Sequence, residues 1–558
     1  MRCTALFLAL ATALPALAAA DVPVPAHVAQ LAEQLLARTY DANGPGAAVL
    51  VMRGDEVLYR GAIGMDDAAK QDALSADDRF RLGSVTKQFA AAAVLKLIED
   101  GKVGLEDPLS KYVEDYPNGD RITVHQLLDH TSGVKSYTSI PGVMEGPIQK
   151  DVTTAQLIDS FKNEKPDFAP GEGWLYNNSG YVLVGAVIES ASGQPWYEYL
   201  DATFFQPLGM KHTGCGCDPK IAARQVQGYS FDGDQVVAPR TLSMTQPHAA
   251  GALVSTVDDL QRWNRALHEG KVLRPESYRL MTTPAGQAKE AGYGFGLFAQ
   301  TLRGRPSLSH GGGIFGFSTV LTYVPGEDIS VVVLQNADGG REGRDGPEEL
   351  GRRLAAAALG DPYPSATPIA VEAESLKALE GVYRVDAQAT RVLRVVEGQL
   401  TSQRTGGSRS RLIPIAKDEF LYEDGFNRFR VERDAEGAVT GMRFFPMGEG
   451  EGQVAARSDE PLPAARQEIA LDAAARARLT GSYDGMGATF KVFEADGALK
   501  AQLSGQSALQ IRAETPNRFF LVEVDAVLEF APEHGEPQTL TLHQAGQAME
   551  FKRVAPQD

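Results

Sequence analysis

The chain has 558 residues, more than one hydrophobic core usually fills, so two or three domains are expected. With 43% hydrophobic and 23% charged residues the composition is that of a soluble globular protein, which excludes a disordered or membrane-spanning chain. A net charge of -18, with no stretch of clustered Lys and Arg, excludes a nucleic-acid partner and leaves small-molecule or peptide substrates.

The first residues, "MRCTALFLALATALPALAAADVPVP", combine a basic start, an apolar centre and small residues of A-x-A type at Ala16, Ala18 and Ala20. They read as a cleaved signal over residues 1–20, and the mature protein is expected to be secreted or periplasmic. Val28 to Tyr40 repeats apolar residues at helical spacing, and "GAAVLVMRGDEVLYRGAIG" gives two strands around a turn at Gly54-Asp55. "RLGSVTKQFAAAAVLKLIEDG" opens a helix, and a helix- and loop-rich region runs to about Glu276. "YGFGLF", "SLSHGGGIFGFSTVLTYVP" and "ISVVVLQNADG" then read as strands, and "EELGRRLAAAAL" as a closing helix. Residues 21–360 therefore predict an α/β domain of the α+β kind: an antiparallel sheet with flanking helices and a helical region beside it, with the active site at their junction.

The Pro-punctuated "GDPYPSATPIAVEAES" marks a linker over residues 361–374. Beyond it the pattern turns to short alternating strands, and Leu379, Gly381 and Tyr383 recur as Leu479, Gly481 and Tyr483. This internal repeat predicts two small all-β barrel-like modules, residues 375–462 and 463–558.

Two cysteines follow the leader, Cys215 and Cys217 in "KHTGCGCDPK". With His212 they could pass for metal ligands, but no fourth ligand lies at a suitable spacing, so no metal is expected. A surface loop with a local disulfide is the reading preferred.

Ser84 and Lys87 stand three residues apart at the start of the Ala-rich segment, where a helix places positions i and i+3 side by side. Serine needs a base to take its proton, and lysine serves when burial or a helix N-terminus lowers its pKa. The plainer alternative is a serine N-cap followed by a surface lysine. A second Ser-x-x-Lys, Ser132 to Lys135, lies in a turn-like stretch that would not hold both side chains on one face. "GWLYNNSGYVLVG" adds Tyr176, whose phenol could shuttle a proton, and Asn178, whose amide could orient lysine or substrate. Tyr116-Pro-Asn118 has the same form but reads as a turn. In "HGGGIFGFSTV" His310 begins a Gly-rich strand; its literal G-x-G-x-x-G is followed by a strand rather than a helix, so no dinucleotide or other cofactor is expected.

These three elements in this order resemble the serine β-lactamase-like superfamily, in particular its branch of class C β-lactamases, D,D-peptidases, D-aminopeptidases and esterases. The resemblance covers Val28 to Leu359 and extends to "ITVHQLLDHTSG" and "GALVSTVDDLQRW". It implies Ser84 as the acylated nucleophile, Lys87 as its base, Tyr176 as proton relay with Asn178 beside it, and His310 in the place of the third-motif lysine or histidine. It further implies an oxyanion hole from the backbone N–H groups of Ser84 and Gly313, and substrate contacts from Asn178, His310 and Gly312. Tandem β-barrels after such a domain are similar to those of D-aminopeptidases, and single lipocalin-like domains occur in other members. The expected activity is an acyl-enzyme hydrolase for small peptides, D-residues among them. The same set would serve a carboxylesterase or a weak β-lactamase, and acylation without turnover would make an acyl-binding or sensor protein.

Overall fold

Six apolar runs build one antiparallel sheet, in the order Phe298–Leu302, Arg305–Ile314, Phe317–Val324, Ile329–Gln335, Ala47–Arg53 and Glu56–Ile63. The structure is a computed structural model that describes residues 24–554 except 233–234, 340–343, 365–367, 424, 465, 486–487, 496, 505 and 507. The expected signal at residues 1–20 therefore lies outside the described residues, as does part of the expected linker.

Every residue of Ile329–Gln335 is buried, because helices cover both faces of the sheet. On one face Asn264 of the helix Val257–His268 reaches Ser330 Oγ at 3.1 Å. On the other, Gly351 of the helix Pro347–Ala358 lies so close that a Cβ there would stand 2.8 Å from Val320. A strand enclosed in this way has no polar face to show, which is why "ISVVVLQ" is continuous rather than alternating.

The helix Thr86–Glu99 is buried at every position from Thr86 to Leu95. An apolar surface all round suits a helix at the centre of its region. It packs against Asn178–Ser192 and His248–Gly251, which in turn approach each other closely: a Cβ on Gly185 would meet the His248 ring at 2.4 Å.

Two expectations need correction. "YGFGLF" is a turn, not a strand; the strand begins only at Phe298. Gly294 and Gly296 bring the chain against other backbone, at Met281 O and Lys87 O, so this segment supports the Ser84 helix instead of joining the sheet. The Cys-Gly-Cys stretch is not a surface loop. Gly214–Cys215 is a strand paired to Leu253–Ser255, Cys215 is 3% exposed, and Cys215 and Cys217 are disulfide-bonded. Among the described residues no cluster of His, Cys, Asp and Glu could hold a metal ion.

The chain divides into two compact units, Met1–Pro362 and Tyr363–Asp558. The second holds two closed eight-stranded antiparallel barrels, from Gly381–Arg384 to Gln453–Arg457 and from Gly481–Gly485 to Gln547–Val554. The sequence repeat is a structural repeat: Tyr383 Oη donates to Leu379 O at 2.7 Å, and Tyr483 Oη to Leu479 O at 2.9 Å. Each barrel interior is filled by its own cluster of aliphatic and aromatic side chains. No helix among the described residues is long and apolar enough to cross a membrane.

Candidate active site

Ser84 lies in a 3-10 turn, Gly83–Val85, that leads into the helix Thr86–Glu99. It is therefore not the N-cap of that helix. The turn is clamped on two sides. Leu82 N donates to Leu253 O at 2.8 Å, and Leu82 O accepts from Thr319 Oγ1 at 2.8 Å. Gly312 faces the same carbonyl so closely that a Cβ would stand 1.9 Å from it, and a Cβ on Gly83 (φ +53) would stand 2.9 Å from Gly313 N. Glycine at 83 and 312 thus lets the backbone beside Ser84 touch the strand Arg305–Ile314.

Residues three apart eclipse in a 3-10 turn, and Lys87 Nζ accordingly stands 3.1 Å from Ser84 Oγ. The amine has two further neighbours, Asn178 Oδ1 at 2.8 Å and Ala250 O at 2.9 Å. Both can only accept, so each takes an N–H. A neutral amine has two N–H groups and one lone pair, which leaves the lone pair for the Ser84 hydroxyl. Burial favours that neutral form: Lys87 has no exposed surface, and desolvation holds its pKa well below the usual lysine range.

Tyr176 stands beside this pair. Its phenol interacts with the Ser84 hydroxyl, its ring centre lies 4.7 Å from Lys87 Nζ, and burial pushes its pKa up. Asn178 Nδ2 donates to Thr138 Oγ1 at 3.2 Å, which fixes its Oδ1 toward the lysine. His310 is brought near the same group, 6.1 Å from the Tyr176 ring, but is only 2% exposed. Its Nδ1 lies 2.6 Å from Gly311 O, a pure acceptor, so Nδ1 carries the proton and Nε2 accepts from Tyr293 Oη at 3.1 Å. Burial and the nearby Lys87 push its pKa down to about 3. His310 is thus a neutral imidazole in an aromatic cluster.

A cavity of about 370 Å³ opens on Ser84, lined by Asn178, Gly313, Tyr137, Leu242, Phe315 and other mainly apolar groups. Gly313 borders it, whereas Gly312 and His310 do not line it. The other Ser-x-x-Lys is differently placed: Lys135 Nζ pairs with Asp167 at 2.8 Å, and Ser132 is 2% exposed. At the Tyr116-Pro-Asn118 stretch Gly119 N donates to Tyr116 O at 2.9 Å, closing a turn.

Sequence reasoning missed Ala250, whose contribution is a backbone carbonyl, and His130, quoted only within "LLDHTSG". His130 Nδ1 accepts the Asn177 N–H at 3.2 Å, its carbonyl accepts from Leu175 N at 3.2 Å, and its ring lies 4.5 Å from Tyr176. It holds the segment that carries Tyr176 and Asn178 from below. A histidine between two known motifs was the available signal.

An antiparallel sheet with helices on both faces, and a serine joined to a buried lysine at its border, defines a serine hydrolase. The Beta-lactamase family model matches residues 28–355, and the chain belongs to that family. It is 28% identical over 291 residues to the putative penicillin-binding protein PbpX of Bacillus subtilis strain 168, covering 52% of this chain and 70% of that protein. Among solved structures it is similar to the D-stereospecific amidohydrolase from Streptomyces sp., with 30% identity, a TM-score of 0.50 and coverage of 59% and 98% of the two chains. It is also similar to the D-amino acid amidase from Ochrobactrum anthropi SV3, with 25% identity, a TM-score of 0.53 and coverage of 60% and 99%.

Proposed function

We propose that the protein is an exported serine hydrolase that forms an acyl-enzyme at Ser84 and cleaves amide bonds of small peptides, D-residues among them, in the manner of a D-aminopeptidase or D,D-peptidase. The observation that carries this reading is the buried Lys87 amine, with two acceptors on its N–H groups and its third position on Ser84 Oγ. The D-stereospecific amidohydrolase and D-amino acid amidase to which the chain is similar support the substrate class.

In the first step Lys87 takes the Ser84 proton as Oγ bonds to the substrate carbonyl carbon. The oxygen that becomes negative meets the N–H groups of Ser84 and Gly313, whose backbones the glycine contacts hold together. The C–N bond then breaks, and the proton passes from Lys87, through Tyr176 Oη, to the leaving nitrogen. Water repeats the sequence in reverse on the acyl-enzyme, giving its proton to the same base and releasing the acid and Ser84.

The mainly apolar lining of the cavity also suits the acyl chain of an ester, which keeps a carboxylesterase as the second reading. A panel of a D-alanyl anilide, its L-isomer, a short nitrophenyl ester and a chromogenic cephalosporin tests the choice. The D-anilide should be turned over fastest relative to its L-isomer; ester turnover with neither anilide cleaved overturns the peptidase reading.

A further inference from the structure

The segment that carries Ala250 begins with a buried histidine in an unusual conformation. His248 opens the short helix His248–Gly251 with a φ of +47, a left-handed backbone that strains a residue with a Cβ, and it is 6% exposed. Its ring lies against the helix Asn178–Ser192: a Cβ on Gly185 would stand 2.4 Å from Cε1 and 2.5 Å from Nδ1, so the glycine is what admits the ring. On another side the ring centre lies 5.3 Å from that of Trp196. Nε2 stands 3.0 Å from Thr154 Oγ1, and that hydroxyl bonds in turn to Glu189, whose carboxylate also accepts from Trp196 N at 3.3 Å. A carboxylate only accepts, so the hydroxyl donates to Glu189 and takes an N–H from the imidazole. Nε2 therefore carries the proton, and Nδ1, which has no partner among the described residues, keeps the lone pair. Burial pushes the pKa of the ring down to about 3, which leaves it neutral.

His248 thereby ties together the two elements that face the Lys87 amine. Asn178, which takes one N–H at 2.8 Å, starts the helix on which the ring rests, and Ala250, which takes the other at 2.9 Å, lies two residues after His248. The far end of the segment is fixed separately, by Ala252 N on His248 O at 2.9 Å and Leu253 N on Thr86 Oγ1 at 3.2 Å. The ring sets the spacing of the two helices, and that spacing sets the angle between the two acceptors. An amine whose N–H groups both have fixed partners has its lone pair aimed by them, here at Ser84 Oγ, 3.1 Å away. Neither His248 nor Thr154 lines the cavity beside Ser84, so both act from behind the reacting groups.

We infer that His248 is a positioning residue: through its ring on Gly185 and its bond to Thr154 it sets the distance between Asn178 and Ala250, and so aims the Lys87 lone pair at Ser84. This rests on the reading of Lys87 as the base of Ser84 and goes beyond it by naming what holds that base in line.

The test measures, on the full chain and as a function of pH, the rate constant for labelling of Ser84 by a serine-directed phosphonate, together with the fraction of protein labelled and the unfolding temperature. Thr154→Val removes the hydroxyl at nearly constant volume, and Thr154→Ser keeps it. His248→Gln keeps an N–H where Nε2 stands, and His248→Asn moves it to the Nδ1 position. The titratable groups that face Lys87 are Tyr176, Tyr181, His130 and His310, none of them a carboxyl, and none is altered in these variants. The Ala250 carbonyl favours the ammonium over the neutral amine, so its displacement lowers the Lys87 pKa. Thr154→Val and His248→Asn should therefore lower the plateau of the rate constant by about tenfold or more and move its limb to lower pH by about half a unit, and Thr154→Ser and His248→Gln should recover most of both. If the buried His248 variants do not fold, the half-buried Thr154 pair decides. A limb that stays at its wild-type pH in Thr154→Val, or moves up, overturns the inference, as does a serine variant no better than the valine one. A loss confined to the labelled fraction, with rate constant and limb unchanged, shows a merely structural role and overturns it too. If the wild type is labelled along a limb well below 10.5 and the variants match it, only His248 is wrongly assigned; if the wild type is not labelled, or its limb lies near 10.5, the reading of Lys87 falls and the inference with it.

Discussion

The Lys87 amine stands 3.1 Å from the Ser84 hydroxyl on a side chain with no solvent-exposed surface, while Asn178 and Ala250 occupy its other two hydrogen-bonding directions. A lysine so placed is a base at pH values where an ordinary lysine is an acid. Desolvation disfavours its charged form, so the fraction able to accept the Ser84 proton grows as pH rises through a pKa well below the ordinary 10.5. The rate of Ser84 acylation should therefore rise along a limb that is complete well before pH 10.5. Lys87→Ala should lower the acylation rate by about a thousandfold, with thermal unfolding followed alongside to show that the variant folds. A limb centred near 10.5 would mean that burial does not tune this amine.

His310 gives a prediction of the opposite kind, a pH range in which nothing happens. With its pKa pushed down to about 3, its imidazole is neutral throughout the physiological range. No limb near the ordinary histidine value of 6.5 should appear in kcat/KM that moves when His310 is replaced by Gln. A neutral ring also offers no charge to a β-lactam carboxylate, so cephalosporin turnover should fall well below that of the best amide substrate. Cephalosporin hydrolysis at a comparable rate would contradict this.

The last two glycines of "HGGG", Gly312 and Gly313, should answer differently to alanine. At Gly312 a methyl would stand 1.9 Å from Leu82 O and 2.5 Å from Thr319 Oγ1, both parts of the clamp on the Ser84 turn. Gly312→Ala should lose about 2 kcal/mol of stability or more, together with acylation. At Gly313 a Cβ meets nothing within 4 Å and points into open space at the cavity border. Gly313→Ala should unfold at close to the wild-type temperature and yet acylate more slowly. Calorimetry with labelling kinetics on both variants checks the pair; equal stability loss at the two positions would refute it.

The parts of the site legible in sequence are those that local periodicity brings together. Ser84 and Lys87 meet because a spacing of three is one turn, and the Gly-rich strand after His310 announces close backbone contact whatever the fold. The repeat of Leu379, Gly381 and Tyr383 at 479, 481 and 483 was visible for the same reason, as each tyrosine bonds back within its own segment. What sequence did not show depends on distant chain. Ala250 contributes a carbonyl that any residue would supply, His130 acts through the backbone of Leu175 and Asn177, and His248 meets Gly185 and Thr154 only because the fold brings their helices together. "YGFGLF" was misread because alternating aromatics and glycines imitate a strand, whereas its glycines serve close backbone approach to Met281 and Lys87. Cys215 looked exposed because its neighbours are polar; pairing with Leu253 in the short strand beside the Ser84 turn buries it.

The proposed reaction requires that Ser84, and not the second serine of the same motif, becomes covalently acylated. Peptide mapping by mass spectrometry after treatment with a serine-directed phosphonate tests it on the wild-type protein, Ser84→Ala and Ser132→Ala. Ser132 is buried and its Lys135 is engaged with Asp167, so it lacks a free base at hand. The wild type and Ser132→Ala should each carry one phosphonyl adduct, on the peptide containing Ser84, and Ser84→Ala should carry none. An adduct that persists in Ser84→Ala, or one mapped to any other residue of the wild type, would contradict the account.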